Sequence, residues 1–262
     1  MPKRQLKNCR AIITGASGGI GWQLAEQLAR QQVQLVVNAR RSERLDELAQ
    51  TIGNRGGTCI PFPGDITEPE VRQRLLETCT RELGGIDILI NNAGIGAMGR
   101  FEDANQERLR QIFEVNFFAI AEMTRIAIPA LREGVDPLVV NISSILGHRA
   151  APLKSEYCAS KFALHGLSDA LRAELAPTGI EVLLVSPSTT DSEFFDHSIE
   201  DTTGKDWKKG GAMSAQKVAA KTVRGMINRR HEIILTFGGR IIVWLDRLLP
   251  GIANKLVARF GQ

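Results

Sequence analysis

The sequence predicts an α/β fold: a doubly wound parallel sheet of about seven strands with helices on both faces, in a single domain. Short β-rich apolar runs alternate strictly with stretches of helical periodicity through the 262 residues. The first of these runs feeds a glycine-rich turn that opens a helix. No linker or low-complexity stretch divides the chain, which is long enough for one well-buried core.

The elements follow in order. Cys9-Arg-Ala-Ile-Ile13 reads as a short buried strand, and after the turn Leu24, Ala25, Leu28 and Ala29 mark one face of a helix. Further strands are expected at 34–38, 58–61, 87–90, 137–142, 180–185 and 232–236, with helices near 42–53, 68–82, 105–133, 155–176 and 214–230. Residues 1–238 form the main domain in this reading. Its segment at about 190–213, with Phe194, Phe195 and Trp207 between Gly204 and the Gly210-Gly211 pair, is read as a lid or as a helix anchored by the two phenylalanines. Residues 239–262 are a C-terminal amphipathic helical extension. Ile241, Leu245, Leu248, Leu249, Ile252, Leu256 and Phe260 recur at helical spacing there, basic residues lie between them, and Pro250-Gly251 breaks it in two.

Two patterns carry chemistry. Thr14-Gly-Ala-Ser-Gly-Gly-Ile-Gly21 sits between strand and helix, so its glycines allow close backbone approach and the helix N-terminus offers unpaired N–H groups to a phosphate. The spacing of Gly15, Gly19 and Gly21 differs from Gly-x-Gly-x-x-Gly and lacks the Gly-Lys-Ser/Thr ending of a P-loop, so a mononucleotide or dinucleotide is expected. The second pattern is Tyr157 and Lys161, which share a helix face, with Ser144 13 residues before the tyrosine. Tyr157 is the single tyrosine of the chain. A cation beside a phenol favours the phenolate, which makes the pair a proton-transfer device that Lys161 tunes by lowering the phenol pKa.

With these residues in place the chain resembles the short-chain dehydrogenase/reductase family. The matching pieces are Thr14 to Gly21, Asp65, Asn91-Asn-Ala-Gly94, Asn116, Ser144, Tyr157 and Lys161, in order from about residue 8 to residue 195. The resemblance implies a Rossmann-type sheet and a catalytic set of Ser144, Tyr157, Lys161 and Asn116, the last holding a water that links Lys161 to solvent. It implies cofactor contacts from Gly15, Ser17, Gly19, Ile20 and Gly21, from Asp65 (to the adenine amino group) and Ile66, and from Asn92, Ala93 and Gly94 on the adenine-ribose side. Tyr157, Lys161, Pro187 and Thr190 complete that set. Ser143 is expected to be structural. After the sixth strand the family usually has Pro-Gly, whereas this chain reads Ser186-Pro-Ser-Thr-Thr190, which restricts the backbone beside the nicotinamide. At the end of the second strand an acidic residue would bind a ribose 2′-hydroxyl. Ala39 stands there instead, followed by Arg40 and Arg41, which favours NADP(H) over NAD.

The expected activity is hydride transfer between NADP(H) and a carbonyl or alcohol, on a lipophilic substrate if the aromatic residues form the lid. Two other readings stay open: a non-catalytic NADP-binding redox sensor or interaction module, and, ranked below it, an epimerase or dehydratase on the same fold. His148 and Arg149 are candidates for touching a polar substrate group. The formal charge is +4 but the basic residues are interspersed with acidic ones, so nucleic acid is not expected. Cys9, Cys59, Cys79 and Cys158 lack metal-ligand or disulfide-framework spacing, so no metal site is expected and a reducing, cytoplasmic setting is. The N-terminus has no apolar signal core. The tail either lies on an anionic membrane surface as a peripheral contact or packs on protein. The helices at 105–133 and 155–176 resemble the family's dimer-forming pair, which implies a homodimer or homotetramer.

Overall fold

The computed structural model describes residues 2–191, 199 and 212–258. Seven parallel strands form the sheet in the order β3-β2-β1-β4-β5-β6-β9: β1 Arg10–Thr14, β2 Gln34–Ala39, β3 Cys59–Pro63, β4 Ile88–Asn91, β5 Leu138–Ile142, β6 Glu181–Ser186 and β9 Glu232–Ile234. Side chains alternate across each strand. Ala11, Ile13, Leu35, Val37, Ile88, Ile90, Val140 and Val185 face one core, which α1 (Gly19–Arg30), α2 (Ser42–Gly53) and α7 (Ala215–Ile227) close with Leu24, Leu28, Leu45, Leu48, Val218 and Met226. Ile12, Val36, Leu89, Val139 and Val182 face the other, closed by α3 (Pro69–Leu83), α5 (Ala119–Arg132) and α6 (Ser155–Leu175) through Leu75, Cys79, Met123, Leu131 and Leu175. A sheet buried on both faces needs near-continuous apolar runs, which is why these strands read as such.

The chain winds outward from β1 to β3 and then crosses back to β4, so the strand order reverses between β1 and β4 and opens a crevice at their C-terminal ends. The opposite ends of the strands are pinned by charge. Arg10 reaches Asp87 at 2.6 and 2.9 Å, and these bonds with the Val135 N–H at 2.7 Å outweigh burial and hold Asp87 below the usual carboxylate range. Arg4 and Arg229 each bridge Asp136 and Glu181.

Three departures from the expected elements bear on the site. The stretch read as one helix at 105–133 is α4 (Gln106–Phe113), a π turn at Glu114–Phe118 and α5. The widened turn falls on Asn116, and such bulges recur at functional positions. A two-residue parallel pair, β7 Thr190–Asp191 with β8 Met213–Ser214, draws together the ends of the segment read as a lid. Within that segment only Ile199 is described between 191 and 212, so Ser192, Phe194, Phe195, Gly204, Trp207, Gly210 and Gly211 lie outside the described residues. The tail forms α8 Phe237–Leu248 and α9 Pro250–Ala258, divided at the proline as its missing N–H requires. None of the described helices is long and apolar enough to cross a membrane.

Candidate active site

A cleft of about 980 Å³ opens at the C-terminal ends of the strands. Its floor at the β1–β4 crevice is made by backbone. Gly15 adopts φ +68°, and a Cβ there would lie 2.7 Å from Ala93 Cα. A Cβ on Gly21 would lie 2.3 Å from the Gly15 carbonyl oxygen. Only glycine permits either approach. Thr14 Oγ1 accepts from the N–H groups of Asn92 and Ala93 at 3.0 and 3.1 Å, and Asn92 Nδ2 donates to the carbonyls of Thr14 and Gly15 at 2.9 and 3.0 Å. The glycine turn and the β4 end are thereby fastened together. The start of α1 has no side-chain cap, and Gly18, Gly19 and Ile20 line the cleft there. That is a pocket for an anion at a helix N-terminus.

Gly15, Ser17, Gly19, Ile20, Arg40, Arg41, Asp65, Ile66, Asn92, Ala93, Gly94, Pro187 and Thr190, all expected at the cofactor, line this one cleft. Gly21 is not among its lining residues. Its place is one layer back, where it lets α1 close onto Gly15. Ala39 is buried at the end of β2, Arg40 is exposed, and Arg41 donates to Ser17 Oγ and carbonyl oxygen at 3.2 and 3.0 Å. Arg44 joins this cluster through the same carbonyl and lies 4.6 Å over the Trp22 ring. The sequence reading missed Arg44, although its position one helical turn beyond Arg40 was visible. Asp65 Oδ1 accepts from the Thr67 N–H and hydroxyl at 3.0 and 2.8 Å, which holds the carboxylate at the cleft wall.

Deeper in the cleft stand Ser144, Tyr157 and Lys161. Ser144 follows β5, and its Oγ accepts from the Leu146 N–H at 3.1 Å, starting a short 3-10 turn at Ile145–Gly147. Ser144 and Tyr157 share a hydrogen bond through their hydroxyls. Lys161, buried, donates from Nζ to the Ile142 carbonyl at 3.1 Å and sits 5.7 Å from the centre of the Tyr157 ring. The electrostatics correct one expectation. Burial raises the Tyr157 pKa, the bond with Ser144 only partly opposing it, and burial pushes Lys161 down to about 8. Desolvation penalises both charged forms and sets the direction of each shift.

Asn116 is fully buried, and its side chain is engaged with protein. Oδ1 accepts from the Ile95 N–H at 2.9 Å, while Nδ2 donates to the Ile95 carbonyl at 2.9 Å and to Ser160 Oγ at 3.1 Å. Ser160 Oγ in turn donates to the Tyr157 carbonyl at 2.8 Å. Asn116 thus braces the wall residue Ile95 against the turn of α6 that carries the tyrosine. Ser143 is buried at the cleft wall, its Oγ without a hydrogen-bond partner. His148 and Arg149 do not line the cleft. The 3-10 turn carries them past it, where His148 meets Ser186 and Glu232, and Arg149 pairs with Asp246 of α8 at 2.8 Å. The remaining wall is mixed: Ala97, Met98, Val115, Ile145, Leu146 and Ile199 form an apolar part, and Gln111, Glu114, Lys154, Ser188 and Thr189 a polar one.

Comparison with known proteins accords with this geometry. A family model described as short chain dehydrogenase matches residues 10–203. The chain belongs to the short-chain dehydrogenase/reductase family. A ketoacyl reductase, HetN, of Nostoc is 31% identical over 256 residues, covering 95% of this chain and 88% of the relative. Human dehydrogenase/reductase SDR family member 7 is also 31% identical, over all of this chain and 80% of its own. Among solved structures, a Burkholderia cenocepacia short chain dehydrogenase in complex with NADP superposes with TM-score 0.78 at 27% identity, covering 87% of this chain and 96% of that one. A Burkholderia phymatum family member in complex with NAD reaches TM-score 0.87 at 23% identity over 93% and 94% of the two chains, a likeness of fold. The family is one of oxidoreductases, as the sequence reading expected.

Proposed function

We propose that this protein is an NADP(H)-dependent carbonyl reductase or alcohol dehydrogenase acting on a lipophilic substrate. The observation that carries this is one cleft in which a glycine cradle, an arginine cluster at the end of β2 and the hydroxyls of Ser144 and Tyr157 are continuous. NADP(H), when bound, would supply or accept the hydride. The cradle fits its pyrophosphate, since the start of α1 has no side-chain cap and Gly18, Gly19 and Ile20 line the cleft there. Arg40 and Arg41 would take the 2′-phosphate, with Arg44 alongside. Asp65 and Ile66 would flank the adenine, and Asn92 to Gly94 its ribose side. Pro187 and Thr190 would border the carboxamide.

Tyr157 passes the proton to or from the substrate oxygen, and Ser144 Oγ hydrogen-bonds that oxygen and orients it. Lys161 keeps a positive charge below about pH 8 and so favours the phenolate form that a proton-passing tyrosine must visit. Asn116 acts through its bracing of Ile95 and Ser160. The water that links Lys161 to solvent would fall to the second lone pair of Asn116 Oδ1, since the amide hydrogens and the first lone pair are engaged. The ketoacyl reductase activity named for the Nostoc relative supports the carbonyl-reducing sense. The apolar part of the wall, Ala97, Met98, Val115, Ile145, Leu146 and Ile199, supports a lipophilic substrate.

The first test is oxidation of NADPH and NADH against ketones and aldehydes from small and polar to long-chain. NADPH is expected to support turnover and NADH much less. Ala39→Asp should raise the KM for NADPH at least about tenfold, because a carboxylate beside the 2′-phosphate repels it and competes for the arginines, while NADH improves. Equal use of both cofactors by the wild type would overturn the NADP assignment. Tight NADPH binding without turnover of any carbonyl would favour the sensor reading.

The tail supports a peripheral membrane contact. Phe237, Ile241, Trp244 and Leu248 are 76, 51, 62 and 68% exposed and form one stripe along α8, opposite the buried Gly239 and Val243, with Arg240 and Arg247 at its edge. Co-sedimentation with anionic vesicles, abolished by Trp244→Glu, is the expected result, and no difference between anionic and neutral vesicles would sink it. Phe118 and Phe162, 49 and 45% exposed at the start of α5 and on α6, support a homodimer or homotetramer through those helices.

A further inference from the structure

Behind the Ser144 turn, away from the cleft, His148, His165 and Glu232 converge from the loop after β5, from α6 and from β9. One imidazole nitrogen of each histidine and one carboxylate oxygen all lie within 4.8 Å of one another. His148 Nε2 is 2.9 Å from Glu232 Oε1 and 3.1 Å from the Oγ of fully buried Ser186. The two imidazoles meet edge to face with centroids 4.3 Å apart.

A second, independent observation concerns His165. Its Nε2 is buried and has no hydrogen-bond partner. A buried polar atom left unpaired costs about 1–3 kcal/mol, so the position asks for an explanation. Gly147 packs directly on this ring: a Cβ there would lie 2.6 Å from His165 Nε2.

We infer that His148, His165 and Glu232 form a binding site for a divalent transition-metal ion of the zinc class, separate from the catalytic cleft. Two imidazoles and one carboxylate are a donor set that zinc takes with a fourth position left to water, and imidazole selects zinc, copper or nickel over magnesium or calcium. Ligand atoms around a tetrahedral zinc lie about 3.3 Å apart, given bonds of about 2.0–2.1 Å, so the three donors tighten around the ion when it binds. Ser186 Oγ would hydrogen-bond the metal's water. Glu232, with 38% of its side chain exposed, gives the ion its path in from solvent.

The ion would clamp the Ser144–His148 turn to α6, the helix of Tyr157 and Lys161, and to β9 at the sheet edge. Its role is structural support of the catalytic turn. No step of the proposed oxidoreduction passes through it, and it stands or falls independently of the cofactor and substrate.

The test uses untagged, chelator-treated full-length protein. Titration with Zn²⁺ by calorimetry, and with Co²⁺ by visible absorption, is expected to show one saturable site per chain, the intense absorption of tetrahedral cobalt, and a rise in Tm with Zn²⁺. Glu232→Gln and His165→Gln should each weaken Zn²⁺ binding by at least about tenfold and remove the Tm rise. Glu232 lies at the surface, so its variant keeps the test open if the histidine variant does not fold. No saturable binding, or binding unchanged in Glu232→Gln, would overturn the site.

Discussion

Tyr157→Phe is expected to lower kcat for NADPH-dependent carbonyl reduction by about 10²–10⁴-fold, the range that one positioned proton donor supplies. The substitution removes a single hydroxyl and leaves the ring. The packing of α6 is retained, as are the Ser144 bond to the Leu146 N–H and the Lys161 bond to the Ile142 carbonyl. NADPH affinity should therefore change little, which separates loss of the proton donor from loss of the site. The pH dependence gives a second readout. Lys161 is charged below about pH 8, and its charge is lost as pH rises through that value, so kcat/KM of the wild type for reduction should fall on the alkaline side with an apparent pKa near 8. Direct measurement of kcat and of NADPH binding in both proteins decides the matter. A phenylalanine variant within tenfold of wild type would remove Tyr157 from the chemistry.

The strands and helices were legible because a sheet covered on both faces leaves a plain signature. The centres of these strands, Leu35–Val37 and Val182–Val185, are apolar throughout, and the helices between them repeat at helical spacing. The cradle and the Tyr157–Lys161 pair were legible for a similar reason, since each lies within one short stretch. What the sequence hid were contacts between distant stretches. The break at Asn116 is tied to Ile95, 21 residues away, and nothing in the periodicity of 105–133 marks it. His148 lies four residues after Ser144, which suggested the substrate, yet one 3-10 turn carries it to Ser186 and Glu232. The neighbours of Tyr157 could be named from spacing, but its desolvation could not. That is why the expected downward shift of its pKa became an upward one.

Arg108 and Glu156 are the most consequential pair of this hidden kind. In the sequence they are two ordinary helix charges separated by 48 positions; in the structure their side chains are 3 and 2% exposed, with Arg108 Nη2 and Nε donating to Glu156 Oε1 at 2.6 and 3.0 Å. Arg108 also donates to the Arg100 carbonyl at 3.4 Å, and its N–H is capped by Asn105 at 2.8 Å. Glu156 is the residue before Tyr157, so the pair fixes the first turn of α6 against α4 and the loop after β4. Arg108→Met is expected to destabilise the protein by about 3–5 kcal/mol, because it leaves a carboxylate buried without its partner. For a chain of this size that lowers Tm by roughly 10 °C. Adding Glu156→Leu should recover much of the loss, since two apolar side chains of similar volume replace two desolvated charges. Below its melting temperature the single variant should also lose kcat more than NADPH affinity, because the displaced turn carries Tyr157 and the nucleotide cradle lies on the other side of the cleft. Denaturant unfolding of the two single variants and the double closes the cycle. Additive losses, with no recovery in the double variant, would show that the pair is two separate packing residues and that the N-terminal turn of α6 is held by other contacts.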